Sequence, residues 1–319
     1  MQRRHFLAAA GASGWALAGR ALAAGEPGSR ILVGATPGGG TDLVARSLAA
    51  ELGPRLQRQF IVENRPGAAG NIAAGAVAKA EPDLGSLLVC YTSHAINASL
   101  FPKLPFDPLK DFTALSLVAR SPLLLVTRPD FPAASLRELL ASAKSRQGQL
   151  SIGVAGVGSA NHLAGEMLKT QAGIAAVSVP YKGAGPALTD AMSGQVDLVF
   201  SNVASAQELI KGGKLKVLAV STAQRVAAYP NAAPVAELFA GFDYGSWYGL
   251  LGPAGIKPAD AQRVAAAARA AVSGEAMRKH LTTEGLEPVG STSAEFASFL
   301  QDEVERWRKV VQLTGTKVE

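Results

Sequence analysis

The chain has 319 residues, 48% of them hydrophobic and 18% charged, which is ordinary globular material with enough length for two lobes. Its formal charge of +6 includes Arg3, Arg4 and Arg20 in an acid-free opening segment; the +3 that remains is too small and too scattered for a nucleic-acid partner. The single cysteine, Cys90, excludes an intramolecular disulfide and, at the end of the apolar run 87–89, reads as a small buried hydrophobe rather than a catalytic thiol.

Residues 1–23 read as an export leader. Arg3-Arg4-His5-Phe6-Leu7 is a twin-arginine pattern, a mildly apolar Ala/Gly run follows, and Ala21-Leu22-Ala23 is an A-x-A cleavage site. Arg20 interrupts the run and argues against a membrane anchor. Gln2 and Ala8 depart from the usual flanking residues, so Tat and Sec export both stay open. The mature chain is expected to begin near Ala24, in a periplasm.

Strand and helix patterns then alternate. Residues 31–33 predict a strand and 34–42 a glycine-rich turn. Leu43, Val44, Leu48 and Leu52 recur at helical spacing. Glycines 38, 39 and 40 are expected to take positive φ and to let a ligand approach the amides at a helix start, where an anion is favoured. The plainer alternative is a tight connection capped by Thr41 or Asp42. Residues 60–62 predict a second strand, 71–80 an Ala-rich helix, and 87–91 a strand delivering Thr92, Ser93 and His94 to its carboxyl end. Residues 123–126 predict another strand, and Ser135 with Glu138 a capping box.

The first device recurs at 150–154, where a strand pattern leads through Gly156, Gly158 and Ser159 into Leu163, Met167 and Leu168. Further strands are predicted at 177–179, 196–200 and 215–220. Pro186 opens a helix that Gly194 stops. Thr292 and Glu295 cap a last helix with Phe296, Phe299, Leu300, Val304, Trp307 and Val311 on one stripe, read as core packing.

In open α/β sheets ligands bind beyond the carboxyl ends of strands. The residues expected there are glycines, hydroxyls, an amide and two histidines, with little charge beyond Asp42 and Lys182. Such a set donates hydrogen bonds and does little acid–base or nucleophilic work.

The motifs carry a resemblance. Pro37-Gly38-Gly39-Gly40-Thr41-Asp42, Glu63-Asn64-Arg65-Pro66-Gly67, His94-Ala95-Ile96-Asn97, His162-Leu163-Ala164-Gly165-Glu166, Val179-Pro180-Tyr181-Lys182-Gly183 and Gly194-Gln195-Val196-Asp197 occur in the same order in another group. The chain resembles the extracytoplasmic solute-binding receptors of tripartite tricarboxylate transporters, the Bug family, over nearly all of its mature length. The resemblance implies an α/β Venus flytrap of the type II periplasmic-binding-protein class, two α/β lobes joined by two crossing strands near 123–127 and 244–251. Residues 24–124 and 245–319 would form one lobe and 125–244 the other.

It further implies that backbone amides, hydroxyls and water hold a small carboxylate. Carried over, Gly39, Gly40, Thr41, Thr92 and Ser93 would bind from the first lobe. Gly158, Ser159, His162 and Asn202 would bind from the second, with Ser246 and Trp247 at the crossing. It implies a monomer that delivers its ligand to membrane transporter subunits, with no catalytic residue, metal, cofactor or nucleic acid. The sequence departs from the family pattern at 34–37, which lack an aromatic and a second proline, and at Ala160-Asn161, where small hydroxyl residues are usual. Ligand identity is therefore not inherited.

Rival readings lack their signatures. Asn161 replaces the third glycine of a dinucleotide fingerprint, and no G-K-[ST] or G-x-S-x-G is present. His94, His162 and His280 have no metal-ligand spacing, and for His94 and His162 a structural role is favoured over ligand contact. A sensor that presents its ligand to a membrane signalling protein without transport would look the same. Trp247 and Tyr248 read as hinge packing in preference to a pocket floor.

Overall fold

The computed structural model describes residues 28–145 and 150–317. The expected leader at 1–23 lies outside the described residues. Strand β1 (Ser29–Val33) leads into helix α1 (Gly40–Leu56), β2 (Phe60–Asn64) into α2 (Asn71–Ala78), and β3 (Ser86–Tyr91) into α3 (Ser93–Leu100). A long strand follows, β4 (Phe112–Thr127). The alternation resumes with α4 (Leu136–Ser145), β5 (Leu150–Val154), α5 (Ala160–Ala172), β6 (Ala176–Pro180), α6 (Ala184–Ser193), β7 (Leu198–Asn202), α7 (Val203–Lys211) and β8 (Lys216–Val220). Short β9 (Ala233–Pro234) and then β10 (Gly245–Pro253) precede α8 (Pro258–Ser273), α9 (Glu275–Thr283), β11 (Glu287–Pro288) and α10 (Ser293–Thr314).

The apolar strands behave as their sequences require. Ile31, Leu32 and Val33 are buried, as are Leu87 to Cys90, because helices cover both faces of a parallel sheet. The sheet runs in the order β2-β1-β3-β10-β4-β7-β5-β6. Strands β1, β2 and β3 are parallel to one another, β10 is antiparallel to β3 and β4, and β5 is parallel to β6 and β7.

Strand β4 changes partners midway. Its residues up to Pro122 pair with β10 and β11, and those from Leu123 pair with β7 and β8. Two α/β halves are thus joined through one continuous strand, and Tyr244 at the foot of β10 donates back to the Ser221 carbonyl at 3.0 Å. The capping box at Thr292 and Glu295 is formed, and α10 packs on α3, β4 and α5, so it lies against both halves.

Several elements exceed the sequence expectation. Thr92, Ser93 and His94 are not a loop; Thr92 caps α3 and the other two are its first residues. Helices α7, α8 and α9 went unread, α8 because alanine fills much of its length. The first half of β4 went unread because Thr113, Ser116 and Arg120 interrupt its apolar run.

Candidate functional site

The carboxyl ends of β1, β3, β5 and β7 carry the expected residues, each at or next to a helix start. Four of them form one hydrogen-bonded chain across the crossing. The Trp247 amide donates to Thr92 Oγ1 at 2.9 Å, and the Ser246 hydroxyl donates to Asn202 Oδ1 at 3.1 Å. Residues from the end of β3, the start of β10 and the end of β7 therefore meet at one point.

The first glycine loop stands beside this chain. Gly39 is the exposed N-cap of α1, Gly40 begins the helix and Thr41 is buried. The first intrahelical bond runs from the Leu43 amide to the Gly39 carbonyl, so the amides of Gly40 and Thr41 precede the ladder. The expectation of three positive-φ glycines is corrected here. Only Gly38 lies in the left-handed region, at φ 85°, while Gly39 is extended at φ −86°. Gly40 is needed for space: a Cβ there would lie 2.5 Å from the Tyr248 phenol oxygen. Neither Thr41 nor Asp42 is the N-cap.

Asp42 is buried and anchors the loop from within. Its carboxylate accepts from the Gly38 amide at 2.9 Å, from Arg46 Nε at 3.0 Å and from Asn64 Nδ2 at 3.0 Å. Burial pushes this carboxyl up, but the bonds from Arg46, Gly38 and Asn64 outweigh it and hold it below the usual carboxylate range.

The second glycine loop has the same plan. Gly158, at φ 75°, precedes the extended N-cap Ser159, whose hydroxyl donates to the Gly156 carbonyl at 2.7 Å and accepts the His162 amide at 3.3 Å. The Gly158 amide donates to His162 Nδ1 at 3.0 Å, and His162 Nε2 lies 3.4 Å from Glu166. Lys169 and Ser178 also bond Glu166, at 2.8 and 2.5 Å. Burial opposes its ionisation, yet the bonds from His162, Lys169 and Ser178 hold its carboxyl down at about 2. Asn161 spends its amide on the Phe200 carbonyl at 2.9 Å, tying this loop to β7. Among the described residues no hydrogen bond joins the two glycine loops.

Other side chains are turned away. The Trp247 indole packs on Phe296 and Phe299 and donates to Glu303 at 2.7 Å, so its backbone, not its ring, meets Thr92. His94 is buried between Phe106 and Phe112 and bonds the Pro108 carbonyl at 3.0 Å; burial brings its imidazole down to about 4. Buried Cys90 donates to the Gly249 carbonyl at 3.3 Å, and burial pushes its thiol far above the usual range. Lys182 is exposed.

A cavity of about 330 Å³ beside the crossing strands is lined by Arg120, Ser246, Trp247, Phe299, Glu303 and Arg306 among others. Its charges are largely committed: Arg306 pairs with Glu303 at 3.0 Å and Arg120 lies over the Phe299 ring. Among the described residues no group of three or more His, Cys, Asp or Glu side chains can hold a metal ion.

Sequence reasoning missed Tyr248 and Glu166 as shapers of the loops. The signal for Glu166 was its place one helical turn after His162 and three residues before Lys169.

The comparisons with known proteins bear on the family and the fold. The family model of the tripartite tricarboxylate transporter family receptor matches residues 44–316. Protein BugT of Bordetella pertussis is 34% identical over 292 residues, covering 91% of this chain and 90% of that protein. The solved structure of R. palustris Rpa4515 with adipate is 31% identical with a TM-score of 0.83, covering 92% of this chain and 98% of that one. MatC from Rhodopseudomonas palustris with bound malate is 32% identical with a TM-score of 0.78, covering 90% and 99%.

Proposed function

The chain belongs to the tripartite tricarboxylate transporter receptor family, a family of solute-binding receptors and not of enzymes, and from that premise we propose that it captures a small carboxylate between its lobes in the periplasm and delivers it to a membrane transporter. One observation carries the reading. The starts of α3 and α7, one from each half, meet at the Thr92–Trp247 and Ser246–Asn202 bonds. Acids near the loops are already spent on them: Asp42 holds the Gly38 amide, and Glu166 is held by His162, Lys169 and Ser178. We place the lobes at 24–124 with 245–319 and at 125–244, in keeping with the change of partners along β4. The ligand contacts are Gly39, Gly40, Thr41, Thr92, Ser93, Gly158, Ser159, Asn202 and Ser246, with the backbone of Trp247; His162 acts by holding the second loop.

Adipate and malate, the ligands of the two solved relatives, head the panel to test by calorimetry. Binding of a carboxylate that is recovered unchanged is the expected result, and steady conversion of it to product would sink the reading. Ser159→Ala removes the N-cap of α5, at about 0.5–2 kcal/mol of stability, and should weaken binding by loosening the second loop. Lys182→Ala removes an exposed charge and should change little beyond a weak salt-dependent term. Loss of all binding in a folded Lys182→Ala protein would mean that a point charge, not an amide cradle, carries the site.

A further inference from the structure

The two glycine loops share one hydrogen-bond plan and differ in the atom that completes it. In each, a glycine in the left-handed region precedes an extended N-cap and donates its amide to the side chain four residues on. In the first loop the acceptor is the Asp42 carboxylate, which accepts throughout the neutral range. In the second it is His162 Nδ1, which accepts only while it carries no proton. The geometry points to a positioning role for Glu166: acting through His162 it holds the Gly158 amide in place, and protonation of His162 releases that amide to the cleft and strengthens carboxylate capture.

The chain of contacts sets the direction. A proton on His162 Nε2 faces the Glu166 carboxylate at 3.4 Å, which leaves Nδ1 bare for Gly158 at 3.0 Å. Lys169 and Ser178 keep Glu166 ionised and fixed. A second proton turns Nδ1 into a donor facing another N–H, and that bond cannot persist. The freed amide and the imidazolium then both lie at the positive end of α5, where an anion is favoured and a cation alone is not. Anion binding and protonation therefore assist each other.

The charges around His162 are few. Helix α5 supplies Glu166 and Lys169. Strand β6 supplies uncharged Ser178, with Lys182 exposed in the turn beyond it. Neither β5 nor β7 has a charged residue. On α10, Glu303 and Arg306 are bonded to the two tryptophans and to the Asp243 carbonyl.

The positioning stands on geometry; only the gain in capture rests on the carboxylate reading. The full chain, isotope-labelled, is followed by NMR from pH 8 to 5.5 without ligand. The His162 ring is expected as the Nε2–H tautomer at pH 8, and the Gly158 amide should titrate with the ring at one midpoint. Glu166→Gln should loosen that tautomer preference and move the Gly158 amide signal already at pH 8. An Nδ1–H ring at pH 8, or a Gly158 amide unmoved while His162 titrates, overturns the positioning. Adipate is then titrated calorimetrically over the same range. Wild-type affinity should rise about three- to tenfold towards pH 5.5, the scale of one charge at a helix end. His162→Gln should show a flat profile, whatever its affinity. A flat wild-type profile, or an equal slope in His162→Gln, overturns the release. If Gly158 titrates as expected but no carboxylate binds at any pH, the positioning stands and the carboxylate reading fails.

Discussion

Tyr248 and Gly40 show how one missing methyl group shapes the first loop. The phenol is buried, which pushes its hydroxyl up to about 12, and its oxygen occupies the space that a Gly40 side chain would need. Gly40→Ala must displace one or the other, at about 1–3 kcal/mol for overpacking. Tyr248→Phe removes the nearer atom, so the double variant should recover part of that loss; equal unfolding midpoints for wild type and Gly40→Ala in urea would refute the contact. His94 makes a second prediction. Its folded-state value of about 4 lies below the ordinary 6.5 because burial disfavours the charged ring. The unfolded chain takes up the proton first, so stability is full above about pH 6.5 and falls as pH drops towards 4. Between pH 7 and 5 that loss is about 2 kcal/mol. His94→Gln should remove it from the pH dependence of urea unfolding, and an unchanged slope would show that His94 is not its source. At this scale the sequence was partly legible. The hydroxyls and glycines could be listed, but positive φ was expected at Gly38, Gly39 and Gly40 alike and holds only at Gly38, because three adjacent glycines do not say which one turns.

Helix α10 illustrates what an apolar stripe conceals. Phe296, Phe299, Leu300, Val304 and Trp307 were read as core, and Phe296, Leu300 and Trp307 are buried there. Within that stripe lies Glu303, buried, its carboxylate accepting from Trp247 at 2.7 Å and Trp307 at 2.8 Å with Arg306 at 3.0 Å. The helix is thus bonded to the strand at the crossing as well as packed on it. A period-3.6 reading sorts residues by hydropathy and treats a carboxylate on the buried face as noise; its partner, Trp247, is 56 positions away and invisible to any local window. Glu303→Ala leaves two indole N–H groups without their acceptor and Arg306 with Asp243 alone, and should cost about 3 kcal/mol or more. Glu303→Gln retains an oxygen and should cost less. Tryptophan fluorescence during urea unfolding measures both, and an Ala variant as stable as wild type would mean that the apolar stripe alone holds the helix.

At the scale of the whole molecule the alternation of strand and helix, the two glycine loops and the family motifs were enough to expect a two-lobed flytrap. Of the long run of β4 through both halves only 123–126 was legible, because Thr113, Ser116 and Arg120 break the apolar pattern before the change of partners at Pro122 and Leu123. That junction bears on movement. Two halves linked through β4 and the foot of β10 can rotate about these segments, whereas α10 lies against both and must slide or carry the closure with it. A ligand held between lobes binds the closed arrangement better than the open one, so saturation shifts the population towards closure. X-ray scattering should then show a smaller radius of gyration with saturating carboxylate, moving towards the roughly 20 Å expected of a single compact body of this length. The seam predicts a further dependence. Glu303→Gln weakens the bond between α10 and β10 without touching the cleft loops, so it should alter the extent or rate of closure more than the contacts that hold the ligand. A scattering profile unchanged by confirmed binding would count against the flytrap motion. Closure indifferent to Glu303→Gln would place the hinge in the strands alone.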